Sequence, residues 1–143
     1  MNYKLKSNQK GEIMSFPERL YHATLSRNAE SILREGLKPC PDNKMWAQSN
    51  DDCVCLSSDD VVSASFVEGS DYFNYHMTDE EYAEMTDSIV VFSIDVSKID
   101  ERLLFPDRNI SNYASERNSG MFYLEYRGVI PPEALTEEYE IQI

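Results

Sequence analysis

Residues 19–37, RLYHATLSRNAESILREGL, decide how the rest of the chain reads. The run Leu20-Tyr21-His22-Ala23-Thr24 alternates as a strand does. The period then changes. Ser26 stands as a helix N-cap, Ala29, Ile32 and Leu33 fall on one helical face, and Gly36 sits where a helix ends in the left-handed conformation. A strand therefore delivers His22 and Thr24 to an edge, and a helix carries the chain away. Taken alone, His22 reads as a satisfied core or loop histidine.

Before this stretch, residues 1–15 are polar and basic, with Lys4, Lys6 and Lys10, and read as a loose arm ahead of a single domain over residues 16–143. After it, the segment from Lys38 to Asp52 holds Pro39, Pro41, Asn43 and Asn50 and reads as a loop of 15 residues, long enough to lie over a site. Cys53-Val54-Cys55-Leu56-Ser57 is a short buried strand with both cysteines on one face. Ser58 is placed to cap a helix through DDVVSASFVEG, with Asp59 and Asp60 in its first turn. An aromatic loop, Gly69 to His76, precedes a short acidic helix with the capping box Thr78 and Glu81.

IVVFSIDV, Ile89 to Val96, is β-branched and apolar enough for a central strand. A short helix or turn covers Lys98 to Leu104, and Pro106 to Gly120 is a polar loop. Met121 to Arg127 alternates, setting Phe122, Leu124 and Tyr126 on one face and Tyr123, Glu125 and Arg127 on the other. GVIPPEAL turns the chain and EYEIQI closes it as a strand. Strands with short helices mostly between the early ones imply an α+β fold with a pair of mostly antiparallel small sheets.

The chain has 143 residues, 41% of them hydrophobic, which suits one domain with a sizeable core. Its 13 basic and 26 acidic residues leave a formal charge of −13, which repels bare nucleic acid and anionic membrane over most of the surface. A phosphate pocket built from single arginines remains compatible with that charge, because such groups act at short range. No run approaches the roughly 20 apolar residues that span a bilayer, and the start lacks an apolar signal core, so a cytoplasmic location is expected. Cys40, Cys53 and Cys55 make no even disulfide set, and with two histidines they match no zinc-ligand spacing, so no metal is expected.

Three pieces, LYHAT with AESILREGL, then VCLSSDDVVSAS, then FYLEYRGVIPPEAL, resemble in order and spacing the ADP-ribosyltransferase fold superfamily. The likeness is to its diphtheria-toxin and poly(ADP-ribose) polymerase branch, with similar segments in the RNA 2′-phosphotransferases, and it covers about residues 19–136. The resemblance implies NAD as cofactor. His22 would hydrogen-bond the nicotinamide-side ribose, Ala23 would hold the carboxamide through its backbone, and Thr24 would match the Ser or Thr that follows in the family. Cys55 and Ser57 would line the pocket from the second strand, and Arg27, with Arg34 beside it, would reach the pyrophosphate. The family's stacking tyrosine falls at Cys55, so the ring platform would have to come from Tyr72, Phe73 or Tyr75.

The family's third motif is a glutamate on the strand before Gly-x-Ile-Pro-Pro. Counted back from Gly128 it falls nearest Tyr123, with Glu125 two residues on and Glu116 in the preceding loop as the other carboxylates. Glu125 is the expected catalytic group, because cleaving a nicotinamide–ribose bond passes through an oxocarbenium-like state that a nearby carboxylate stabilises. The implied activity is ADP-ribosyl transfer to a protein or small-molecule acceptor, as in bacterial and phage effectors of this fold. RNA 2′-phosphotransfer and a catalytically silent binding module are the other readings.

Overall fold

The computed structural model describes residues 3–7, 13–39, 52–68, 80, 88–107 and 122–142, with side chains from residue 16 onward. Two short strands come first: β1, Tyr3–Ser7, pairs antiparallel with β2, Ile13–Pro17. Where the sequence reads as a loose arm, the backbone makes this pair, and Phe16 at its end is 1% exposed in the main core.

A second, larger sheet has six strands: β3 Arg19–Leu25, β4 Val54–Ser57, β5 Ser88–Asp95, β6 Leu104–Pro106, β7 Tyr123–Tyr126 and β8 Leu135–Gln142. Their spatial order is β6-β7-β4-β3-β5-β8, with every neighbouring pair antiparallel. β5 is central because IVVF offers apolar side chains to both faces, and its residues from Ser88 to Ile94 are all buried. β6 was not foreseen: Leu104 and Phe105 follow two short 3₁₀ turns, Val96–Lys98 and Glu101–Leu103, where a helix or turn was expected.

One junction of this sheet is thin. β3 and β5 share seven consecutive residue pairs, whereas β3 and β4 share the single pair Tyr21 and Ser57. The six strands form one sheet with a narrow junction between β6-β7-β4 and β3-β5-β8, where a pair of small sheets is the expectation from the sequence.

Two helices cover opposite faces. α1, Ala29–Glu35, buries Ile32 against the core built from Leu20, Phe92, Ile94, Leu56, Leu124 and Tyr126. α2, Asp60–Glu68, buries Ala64 and Val67 against Ala23, Leu25, Ile89 and Val91 on the other side. Each fully buried aliphatic side chain in these layers contributes about 1.5–3 kcal/mol.

Both helix starts differ from the sequence reading in the same way. Ser26 does not cap α1: its hydroxyl accepts the Ser88 N–H at 3.0 Å, and a 3₁₀ turn, Ser26–Asn28, intervenes. Ser58 does not cap α2 either, because its hydroxyl accepts the Phe122 N–H at 2.9 Å; Asp59 takes the role, its Oδ1 accepting the Val62 N–H at 3.0 Å. Each serine joins strands instead. Gly36 does end α1, with φ 91 and ψ 176, a positive φ with extended ψ where the left-handed helical conformation was expected. This turn brings Leu37 against Ile130, which exchange backbone hydrogen bonds of 2.8 and 2.9 Å. The expected helix at Thr78, the aromatic loop at Gly69–His76, and Glu116 lie outside the described residues.

Candidate functional site

The three segments singled out in the sequence lie on three adjacent strands, β3, β4 and β7. Register decides which side chains meet. Cys55 stands directly opposite Glu125, and Ser57 opposite Tyr123, so these four share one face of the sheet; Tyr21, paired with Ser57, shares it too. Leu56 and Leu124 face the other way into the main core. His22 and Thr24 alternate with Tyr21 and leave β3 on the side of Leu20.

His22 nonetheless reaches β4. Beyond the Tyr21–Ser57 pair the two strands part, and Nδ1 of His22 lies 2.8 Å from the Cys55 carbonyl oxygen. Because a carbonyl only accepts, Nδ1 carries the proton, and in the neutral ring Nε2 is left as an acceptor. Burial pushes the imidazole below its usual range, partly offset by the Cys55 carbonyl, so the neutral ring is favoured. Thr24 is buried and takes a hydrogen bond from the Asn28 amide at 3.1 Å, while Ala23 packs under α2.

Glu125 is fully buried. Its Oε2 accepts from Nε of Arg127 at 3.0 Å, and the Arg127 guanidinium lies 3.9 Å over the Phe105 ring. The buried Glu125 carboxylate is thus paired with a guanidinium that is itself about one-third exposed, and this pairing offsets its charge. Cys55 hydrogen-bonds Cys53 and also Asp107; the Cys53 contact, burial and the negative Asp107 all push the Cys55 thiol up, so it stays protonated. No disulfide joins the two cysteines.

Toward the other end of the same face, α2 meets the strands through hydroxyls. Ser57 and Ser63 lie 2.6 Å apart, with the Tyr21 carbonyl 3.1 Å from Ser63 and the Asp59 carbonyl 2.7 Å from Ser57, so one hydroxyl donates to the other serine and the second to its backbone carbonyl. One turn further along α2, Phe66 packs on Tyr123 with ring centroids 6.0 Å apart. Sequence reasoning gave no part to Phe66 and Asp107, whereas Arg127 stood beside Glu125 on its strand face and Ser63 lay in the segment read as the second motif. The spacing of Ser63 and Phe66, three apart on a helix that follows Ser57, was the available signal; Asp107 had none.

The expected site residues thus fall into two sets. Cys55, Ser57 and Glu125 share a face; His22 leaves β3 on the opposite face, with Leu20, and touches this set only at the backbone carbonyl of Cys55. Arg27 is exposed in the 3₁₀ turn before α1, and Arg34, exposed on α1, pairs with its neighbour Glu35 at 3.3 Å. A separate shallow pocket of about 250 Å³, lined by Glu18, Arg19, Asp95 and Ser97, lies at the Arg19 end of β3, away from these groups. Among the described residues, no helix is long and apolar enough to cross a membrane.

No protein-family model, no curated protein and no solved structure matches this chain.

Proposed function

We propose that this chain is an NAD-dependent ADP-ribosyltransferase, with Glu125 as the catalytic carboxylate and a protein or small molecule as acceptor. One observation carries the reading: Cys55 is the common neighbour of His22 and Glu125, through its carbonyl at 2.8 Å and its cross-strand pairing respectively. Segments that resemble three motifs of one superfamily, over a hundred residues apart at their extremes, thereby meet on adjacent strands. The narrow β3–β4 junction within the single six-stranded sheet stands where the expected pair of small sheets would divide.

The chemistry follows from the groups present. The lone pair on Nε2 of His22 suits a sugar hydroxyl as donor, and the neutral ring brings no positive charge near an oxocarbenium-like ribose. Glu125 supplies the negative charge that such a state needs. The Phe66–Tyr123 pair provides aromatic surface on the face where Cys55 replaces a tyrosine ring.

The test is nicotinamide release from NAD by wild type and by Glu125→Gln, with a cell lysate as acceptor source and NAD binding followed by thermal shift. Release by wild type that falls by at least about 10²-fold in Glu125→Gln supports the proposal. Binding without release points instead to a silent module, which the ion pair from Arg127 to Glu125 would favour. Neither binding nor release overturns the reading.

A further inference from the structure

Where the chain enters β4 beside β7, thiols and carboxylates come together. Asp52, Cys53 and Glu125 each bring one possible ligand atom, and these three atoms lie within 4.8 Å of one another. Cys53 and Glu125 are buried, while Asp52 is exposed in the turn two residues ahead of β4. Cys55 adds a second thiol, in hydrogen-bond contact with Cys53, and directly opposite Glu125 in the register.

We propose that Cys53, Cys55, Glu125 and Asp52 form a binding site for a soft divalent cation of the zinc type. Tetrahedral zinc with thiolate and carboxylate donors sets its ligand atoms about 3.3–3.8 Å apart; the Asp52, Cys53 and Glu125 atoms close to this from within 4.8 Å, and Cys55, outside that group of three, turns in as the fourth donor. Two sulfur donors select zinc or cadmium over magnesium or calcium. Binding releases the two thiol protons to solvent and leaves a complex whose excess negative charge faces the Arg127 guanidinium, already 3.0 Å from one Glu125 oxygen. Asp107, hydrogen-bonded to Cys55, is the outer partner that orients that sulfur. Ligand-spacing rules applied to cysteine and histidine alone miss this site, because half of its donors are carboxylates and one comes from a strand some seventy residues away.

An ion held by Glu125 occupies the carboxylate assigned to catalysis, so it silences turnover; that consequence rests on the proposed function, whereas binding itself does not. The experiment titrates the full reduced chain with cadmium and follows the ultraviolet sulfur-to-cadmium charge-transfer band, with no NAD present. One equivalent should saturate the band. The band should persist in Cys40→Ser, fall to about half in Cys55→Ser and vanish in the Cys53→Ser, Cys55→Ser double variant, following the number of sulfur donors. Glu125→Gln should weaken binding by at least about tenfold.

Asp52→Asn, at an exposed position, guards against misfolding: it should weaken cadmium binding while the metal-free chain keeps one cooperative melting transition. No band in wild type, a band that needs Cys40, or unchanged affinity in both Glu125→Gln and Asp52→Asn overturns the site. A band that behaves as expected in a chain that releases no nicotinamide leaves the metal site standing and the transferase reading fallen. Release without the band does the reverse.

Discussion

Nδ1 of His22 donates across the seam of the sheet to the carbonyl oxygen of Cys55, 2.8 Å away, at the point where β3 and β4 stop pairing. The imidazole stands in for a backbone partner that the parting strands cannot supply. A buried carbonyl left without a donor costs about 1–3 kcal/mol, so His22→Ala should lower unfolding stability by that amount, read by urea denaturation.

The same contact sets a pH dependence. Burial holds the His22 pKa below its ordinary 6.5, so the unfolded chain takes up a proton before the folded one does. The contribution is fully present above 6.5 and is lost as pH falls toward the lower folded value. Stability measured from pH 7.5 down to pH 5 should therefore decline more steeply in wild type than in His22→Asn, about one proton's worth of slope apart.

Arg127→Ala should destabilise by about 1.5–3 kcal/mol, the range for losing a charged hydrogen bond, moderated by the guanidinium's partial exposure. Arg127→Lys should recover little, since an ammonium cannot both reach Oε2 of Glu125 and lie flat over Phe105. Chemical denaturation of the two variants side by side decides this.

Gly36→Ala should cost about 2 kcal/mol or more. The position needs φ 91, and a Cβ there would collide with the Ile130 carbonyl oxygen, to which Leu37 is bonded. The control is Glu35→Ala, one residue earlier on the exposed face of α1, which should change stability by less than about 0.5 kcal/mol in the same denaturation series.

Tyr139 donates to Oδ2 of Asp60 at 2.7 Å, and burial with that carboxylate raises its phenol to about 12 from the ordinary 10.0. The folded value exceeds the unfolded one, so the stabilisation is present below pH 10 and disappears as pH rises toward 12. Ultraviolet titration should find a phenol ionising late in wild type and earlier in Asp60→Asn.

Much of the fold was legible because its strands announce themselves by period. Ile89–Val96 reads as a central strand from its β-branched run, and the alternation through Tyr123–Tyr126 placed Leu124 inward and Glu125 opposite to it, as found. The capping serines misled because the hydroxyls of Ser26 and Ser58 have long-range partners, Ser88 and Phe122, that local spacing cannot reveal. β6 was hidden for a similar reason: Leu104-Phe105-Pro106 is three residues long and becomes a strand only because β7 lies alongside. In the site, the residue types and the shared strand face of Glu125 and Arg127 were visible, whereas the pairing of Cys55 with Glu125 depends on a register set by the whole sheet.

The strand order has a consequence for how the molecule comes to be made. β5 lies between β3, which precedes it by more than sixty residues, and β8, which follows by about forty, so its two ladders close over long stretches of chain. Closing large loops before any contact offsets their entropy slows assembly, which places this chain among domains that fold in milliseconds to seconds. During synthesis β3 and β5 can meet first, but the edge of β5 stays bare until β8 has left the ribosome. In that interval the most apolar segment of the protein is the one most open to aggregation, and nascent-chain chaperones should engage it there.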